Sequence, residues 1–117
     1  MYGYRLLEYL EPDGRSPFSD WLTGLRDIRA RARIRTRLER VSLGNLVDCA
    51  SVGGGVLEMR LFHGPGYRIY FGREAANIVV LLSGGVKDTQ RRDIRRAKTM
   101  WADYRKRNES NQQELPG

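Results

Sequence analysis

Residues 52–87 read VGGGVLEMRLFHGPGYRIYFGREAANIVVLLSGGVK and contain three runs typical of β-strands, separated by turn-forming residues. In residues 56–62 every second side chain is aliphatic from Leu57 to Leu61, which is the period of a strand with one buried face. Residues 67–71 alternate in the same way, with apolar side chains at the odd-numbered positions. The intervening His-Gly-Pro-Gly sequence is rich in turn formers. These features predict a β-hairpin.

The register of this hairpin follows from its buried face. If both apolar faces pack on one core, the loop must contain an odd number of residues, because a shift by one residue turns every side chain over. We predict a three-residue loop with Gly66 in a bulge, which places Arg60 directly opposite Arg68. Two guanidinium groups in such a pair repel each other. A fold accepts that repulsion more easily when an anion binds between them.

The third run, residues 77–83, reads NIVVLLS and is apolar at every position between its ends. This pattern predicts a central strand that is covered on both faces. Gly84 and Gly85 end the run, and Lys87 follows at the exit. If this strand lies next to the one that carries Arg68, Lys87 arrives near the arginine pair.

The composition indicates a small basic domain. The chain has 117 residues and a net charge of +7, with 21 basic against 14 acidic side chains, and 18 of the basic residues are arginine. Arginine suits bidentate contacts with phosphate and stacking on bases. A domain this basic indicates a nucleic-acid or acidic protein partner. A basic surface that serves only solubility is the alternative.

The sequence contains one cysteine, Cys49, and one histidine, His63. These residues permit neither a disulfide framework nor a zinc cluster, so we expect no metal and no cofactor. The N-terminus does not resemble a signal peptide, and no apolar run approaches membrane length. We therefore expect a cytoplasmic protein that does not contact a membrane.

The remaining patterns complete an α+β domain over residues 1–107, followed by a disordered polar tail over residues 108–117. The predicted order is β-α-α-β-β-β-α, an antiparallel sheet of about four strands with two N-terminal helices and one C-terminal helix. The elements outside the hairpin region are a strand in residues 2–10, a helix capped by Ser16, a helix capped by Asp27 that extends to about Leu43, a linker over residues 46–55, and a helix capped by Asp88 or Thr89 that extends to about Arg107.

The order of elements and three segments resemble a known family. GVLEMRLFHGPGYRIYF, VVLLSGGVKDTQRRDI and the helical FSDWL…ARARIRTRLERVSLGN are similar to the RelE/ParE toxin superfamily of type II toxin–antitoxin modules, and within it to the HigB-like addiction module killer proteins. The resemblance covers about residues 2–107. It implies a RelE-like fold and a partner antitoxin, in this branch usually a helix-turn-helix protein of the HigA or Xre type.

The resemblance also implies an activity and its site. RelE-like members are ribosome-dependent endoribonucleases that cut mRNA in the ribosomal A site. Arg68 matches the strand arginine that binds the scissile phosphate. Lys87 matches the position of a second arginine that is proposed to protonate the leaving oxygen, and Arg60 stands where RelE has lysines. ParE-like members share the fold and instead inhibit DNA gyrase, which is one alternative function; a non-catalytic basic RNA-binding module is another.

The residues themselves suit metal-free RNA cleavage by the 2′-hydroxyl, in which fixed cations stabilise the developing charge. Arg60 and Arg68 are the candidates for that role, and Lys87 is the candidate acid or base. Glu58 is a candidate base or a carboxylate that orients the arginines, and His63 has a suitable pKa but lies in the turn. The candidate RNA-binding residues are Tyr70, by stacking on a base, and Arg91, Arg92, Arg35 and Arg37, by contacts with phosphate.

Overall fold

The structure is a computed structural model that describes the backbone of residues 3–114 and the side chains of residues 3–108. This part of the chain is an α+β fold with five strands and three α-helices. The elements in chain order are β1 Arg5–Glu8, α1 Pro17–Gly24, α2 Ile28–Ser42, β2 Cys49–Gly53, β3 Val56–Leu61, β4 Tyr67–Glu74, β5 Ile78–Val86 and α3 Gln90–Glu114, with a 3-10 turn at Lys87–Thr89 before α3.

The sheet has the strand order β1-β5-β4-β3-β2. Neighbouring strands from β2 to β5 are antiparallel, whereas β1 runs parallel to β5. The predicted mixture of helices and sheet is confirmed. The prediction of an antiparallel sheet with about four strands is wrong in two respects: the sheet has a fifth strand, and its N-terminal strand is parallel to its neighbour.

The fifth strand, β2, lies inside residues 46–55, which we predicted as a linker. Its sequence, CASVG, has no clear alternation, and it is an edge strand whose side chains are half-buried or exposed. The glycines of residues 53–55 adopt φ angles of 95°, 62° and 82°, a region that only glycine enters readily. The glycine run is therefore the tight turn between β2 and β3, not a flexible spacer.

Helices α1 and α2 begin where their caps predict. The Ser16 hydroxyl accepts a hydrogen bond from the Ser19 amide at 3.1 Å, and the Asp27 carboxylate accepts one from the Ala30 amide at 3.1 Å. Both helices pack on one face of the sheet. The core of that face contains Phe18, Leu22, Ile34, Val41, Met59, Ile69, Phe71 and Val79.

Helix α3 covers the opposite face. Ala97 and Trp101 are buried there against Tyr70, Val80 and Leu82. The prediction that the third strand run is covered on both faces is thus confirmed for β5. The helix backbone continues past the predicted end near Arg107 into the segment predicted as a disordered tail, and residues 115–117 lie outside the described residues. In the described part of the chain, no helix is long and apolar enough to cross a membrane.

Candidate active site: a cationic cluster around a buried glutamate

The predicted arginine pair is present at one end of the β3–β4 hairpin. Arg60 lies opposite Arg68 in the antiparallel register, and the next pair, the last before the loop, is Leu61 with Tyr67. Residues 62–66 therefore form the loop, which is odd in length as predicted but longer than three residues. Gly66 lies in this loop at a φ of 79°, not in a bulge of the β3–β4 ladder. The Arg60 side chain is 44% exposed, whereas that of Arg68 is 9% exposed.

Glu58 is the centre of the cluster. Its carboxylate is fully buried, with Oε1 3.1 Å from Arg60 Nε and Oε2 3.9 Å from Arg68 Nε. Oε2 also accepts hydrogen bonds from the Tyr70 hydroxyl at 3.0 Å and from Gln90 Nε2 at 2.7 Å. Both carboxylate oxygens are thus occupied by donors. This geometry favours the interpretation in which Glu58 orients the arginines over the one in which it acts as a base.

Arg68 combines burial with an unused donor. Its Nε is buried and has no hydrogen-bond partner among the described residues. A guanidinium group buried in this way depends on a nearby carboxylate for compensation, and Glu58 is the acid that the β-strand register places beside it.

Tyr70 is fully buried, so in this conformation its ring is not available to stack on a base, contrary to our prediction. Burial, followed by the neighbouring Glu58 carboxylate, raises the pKa of the Tyr70 phenol well above its usual range. The phenol therefore stays protonated at neutral pH and donates to Glu58. Its ring belongs to the core under α3.

Gln90, the first residue of α3, was not among the predicted site residues. Its amide donates the shortest of the hydrogen bonds to Glu58 and ties the start of α3 to β3. The two residues are 32 positions apart in the chain, so no local pattern indicates the contact. Only the packing of α3 over the sheet brings them together.

Lys87 lies at the exit of β5, as predicted. Its backbone N–H donates to the Gly66 carbonyl at 2.9 Å, which fixes the strand exit against the hairpin loop. The Lys87 side chain is exposed. It borders an open surface depression of about 590 Å³, which Arg91, Arg92 and Arg95 also line. The structure therefore places the predicted residues Lys87, Arg91 and Arg92 on one cationic surface.

His63 is turned toward the helices on the other face of the sheet. Its Nε2 lies 3.4 Å from an Asp27 carboxylate oxygen, and its ring stacks on Tyr67 with 6.3 Å between centroids. The pKa of Asp27 is lowered, chiefly by the Ala30 amide and also by His63. Among the described side chains, His63 makes no hydrogen bond with Glu58, Arg60 or Arg68, so the structure does not join it to the arginine cluster.

The two predicted RNA-binding arginines of α2 differ in their surroundings. Arg35 is exposed, whereas the Arg37 side chain is 12% exposed and lies against the backbone of β3. Arg37 donates to the Arg60 carbonyl at 3.0 Å and also to the Val47 carbonyl. These bonds fasten α2 to the sheet, so Arg37 has a structural role in this conformation. Arg35 is free to contact phosphate.

The described side chains contain no group of three or more His, Cys, Asp or Glu residues placed to hold a metal ion. The side chains that the cluster presents to a ligand are cations. Arg60 and Lys87 are exposed, whereas Arg68 is buried with its Nε 3.9 Å from the Glu58 carboxylate. Such an arrangement can bind a phosphate group and stabilise negative charge on it.

Comparison with known proteins gives a relative without an assigned activity. The chain is 42% identical over 83 residues to an uncharacterized protein of Haemophilus influenzae, and the alignment covers 71% of this chain and 84% of that protein. No family model matches the chain. Identity at this level over most of both chains shows common descent. The chain belongs to the same protein family as this uncharacterized protein of Haemophilus influenzae.

Proposed function

We propose that this protein is the toxin of a type II toxin–antitoxin module, with a RelE-like fold of the HigB-like branch, and that it cleaves mRNA on the ribosome without a metal. The observation that supports this most is the cross-strand pair Arg60–Arg68, fixed by the buried Glu58 at the sheet end where Lys87 emerges. A surface arginine pair needs no buried carboxylate. A buried carboxylate that holds the pair in one geometry before substrate arrives suits phosphate binding.

The proposed reaction uses the RNA's own nucleophile. The 2′-hydroxyl loses its proton to solvent, its oxygen attacks the adjacent phosphorus, and the bond from phosphorus to the 5′-oxygen breaks. Arg60 and Arg68 stabilise the charge on the non-bridging oxygens, and the Lys87 ammonium gives a proton to the departing 5′-oxygen. The products are a 2′,3′-cyclic phosphate and a 5′-hydroxyl. The ribosome supplies the in-line orientation of the RNA.

The proposal includes a partner and a location. A cognate antitoxin, of the helix-turn-helix HigA or Xre type, would neutralise the toxin in the cytoplasm, where its mRNA target is translated. Because the accessible part of the cluster is cationic, the antitoxin segment that covers it should be acidic. Co-expression with the neighbouring open reading frame should relieve growth inhibition and yield a stable complex.

A second candidate is a ParE-like inhibitor of DNA gyrase or a non-catalytic RNA-binding module. The observation that favours it is the burial of Arg68 and Tyr70, which allows the cluster around Glu58 to serve folding alone. On this view the exposed cations would contribute charge and no chemistry.

The deciding experiment is a reconstituted translation reaction with primer extension on the mRNA. Arg68 is a poor first target, because its removal leaves a buried carboxylate without its partner. We would instead compare Arg60→Ala and Lys87→Ala with the exposed controls Arg5→Ala and Lys106→Ala, which remove the same charges elsewhere. We expect cuts at codon boundaries with the wild type and both controls, and a loss of at least about 100-fold in Arg60→Ala, the scale for removing one transition-state donor.

Two other outcomes would reject the proposal. Intact mRNA with folded wild-type protein, together with inhibition of gyrase supercoiling, would establish the ParE-like alternative. Equal cleavage by Arg60→Ala, Lys87→Ala and their controls would show that the cationic cluster is not the active site. Circular dichroism of each variant confirms that it is folded.

A further inference from the structure

A cavity of about 310 Å³ lies beside the last residues of β5, between α1 and α3. β1 pairs with β5 only at Ile78–Leu81, so among the described residues the strand edge at Ser83–Val86 has β4 on one side and no strand on the other. The backbone N–H and C=O groups on that free edge therefore have no ladder partner. The cavity is at the small end of the range for ligand sites, which suits one small ligand.

Ser83 gives this cavity a specific polar group. The residue is 9% exposed and lines the cavity, and its Oγ is buried without a hydrogen-bond partner in the described part of the chain. A bulge positions it: Ser83 pairs with Tyr70, but the next pair along the ladder is Leu81 with Phe71, so Leu82 is an extra residue. A buried hydroxyl left without a partner costs about 1–3 kcal/mol. The Ser83 oxygen has almost no accessible surface in this conformation, so a ligand in the cavity would remove that cost once the Ser83 side chain rotates toward it.

The walls of the cavity differ in character. Trp21 of α1 lies against the strand so closely that a Cβ on Gly84 would come within 2.1 Å of its ring. Across from it, α3 contributes Met100 and the exposed arginines Arg92 and Arg96, which are one helical turn apart. The buried Asp93 also lines the cavity; its carboxylate lies 3.5 Å from Arg92 Nε and accepts a hydrogen bond from Thr89. The site thus offers an aromatic wall, a floor of backbone donors and acceptors, one buried carboxylate, and two cations at its mouth.

We propose that this cavity binds a nucleoside 5′-monophosphate unit, free or within an RNA chain, with its base on the free edge of β5 and its phosphate on Arg92 and Arg96. A base edge presents donors and acceptors that match the backbone N–H and C=O groups and the Ser83 hydroxyl. The Trp21 ring adds stacking, which has the same strength for every base to a first approximation. The two guanidinium groups suit a phosphate dianion.

The cavity and the cationic cluster lie close together. Gly85, on the cavity floor, pairs directly with Arg68 of the neighbouring strand. Arg92 lines both the cavity and the depression beside Lys87. In its RNA form the inference rests on the proposed function: the base in the cavity then belongs to a nucleotide next to the one that is cleaved. Binding of a free nucleotide does not depend on cleavage.

The two tryptophans provide an internal control for the test. Trp21 lines the cavity, whereas Trp101 packs against Gly55 and Gly72 in the core under α3. We would record ¹H–¹⁵N spectra of the full chain during titration with AMP, GMP, CMP, UMP and a short oligoribonucleotide. Ribose 5-phosphate and inorganic phosphate are the controls without a base. We expect saturable shifts of the Trp21 indole signal with nucleotides and with the oligoribonucleotide, and none for Trp101.

Variants then test the named contacts. Ser83→Ala should weaken nucleotide binding about 10-fold, the equivalent of one hydrogen bond, without lowering stability, because the hydroxyl it removes has no partner. Arg96→Ala should weaken binding of nucleotides at least as much, whereas Arg105→Ala, an exposed arginine on the same helix, should have no effect. Shifts of equal size with ribose 5-phosphate, no shift of Trp21 with either the nucleotides or the oligoribonucleotide, or unchanged affinity in Ser83→Ala would each overturn the inference.

The experiment also separates this inference from the proposed function. Nucleotide shifts at Trp21 without mRNA cleavage by the wild type would reject the proposed function and retain the nucleotide site. Cleavage of mRNA by the wild type, with no shift of Trp21 by the nucleotides or the oligoribonucleotide, would support the proposed function and reject the nucleotide site. Shifts with the oligoribonucleotide but with no free nucleotide would assign the site to RNA alone.

Discussion

The substitution Glu58→Gln tests whether the buried carboxylate holds the arginine cluster together. It keeps the shape of the side chain and removes its charge. The amide would keep its oxygen toward Tyr70 and Gln90 and turn its NH₂ group toward Arg60. Arg60 is 44% exposed and can bond to water instead, so the lost hydrogen bond costs little.

The main cost comes from Arg68. Its Nε lies 3.9 Å from the Glu58 carboxylate in a site where the arginine side chain is only 9% exposed. At this separation two unit charges attract by about 4 kcal/mol with an effective dielectric constant of about 20. The amide dipole recovers part of that energy. We therefore expect the free energy of unfolding to fall by about 2–4 kcal/mol, close to the range for breaking a buried ion pair.

Urea unfolding followed by circular dichroism measures this loss, provided that the slope of the transition is unchanged. Glu39→Gln is the matched control, because Glu39 is exposed on α2, and it should change stability by less than about 0.5 kcal/mol. A loss below about 1 kcal/mol for Glu58→Gln would refute the reasoning. It would mean that solvent, not Glu58, compensates the charge of Arg68.

Three further substitutions test other parts of the structure. Gly72→Ala should destabilise the fold by about 1–3 kcal/mol in urea unfolding, because its Cβ would come within 2.5 Å of the indole ring that packs there from α3, whereas Gly24→Ala meets nothing within 4 Å and should cost nothing. Arg37→Ala should cost about 1–3 kcal/mol through its two lost backbone contacts, and Arg35→Ala less than about 0.5 kcal/mol. Because the pKa of Tyr70 is raised in the folded chain, the unfolded chain ionises this phenol above pH 10.0 while the folded chain keeps its proton. The free energy of unfolding therefore falls as the pH rises. Tyr70→Phe should reduce that fall, measured by urea unfolding between about pH 9 and 11.

The sequence carried enough information to predict the pairing of Arg60 with Arg68. Strict alternation on both sides of the turn leaves one register in which the apolar faces coincide, and the structure has that register. The caps Ser16 and Asp27 were equally predictable, because an N-cap is a local interaction between a side chain and the next turn of helix. Local periodicity and local hydrogen bonds account for these successes.

The errors come from contacts between distant parts of the chain. The parallel pairing of β1 with β5 joins residues that are more than 70 positions apart, and no local pattern gives its direction. The burial of Tyr70 depends on α3, which covers a strand face that alternation alone leaves open to solvent or to a ligand. The same packing brings Gln90 to Glu58 and buries the strand face that carries Glu58 and Tyr70, which we predicted to be open to RNA.

The burial of this cluster affects how its function can be tested. Glu58 belongs to the core and to the candidate active site at once, so its substitution lowers stability and activity together, and neither effect identifies the other. Arg68 has the same difficulty. Arg60 and Lys87 are exposed enough to be changed at little cost to stability, because water can replace what they lose. A loss of cleavage in these two variants, with an unchanged free energy of unfolding, is therefore the result that would show that the cluster has a catalytic role and not only a structural one.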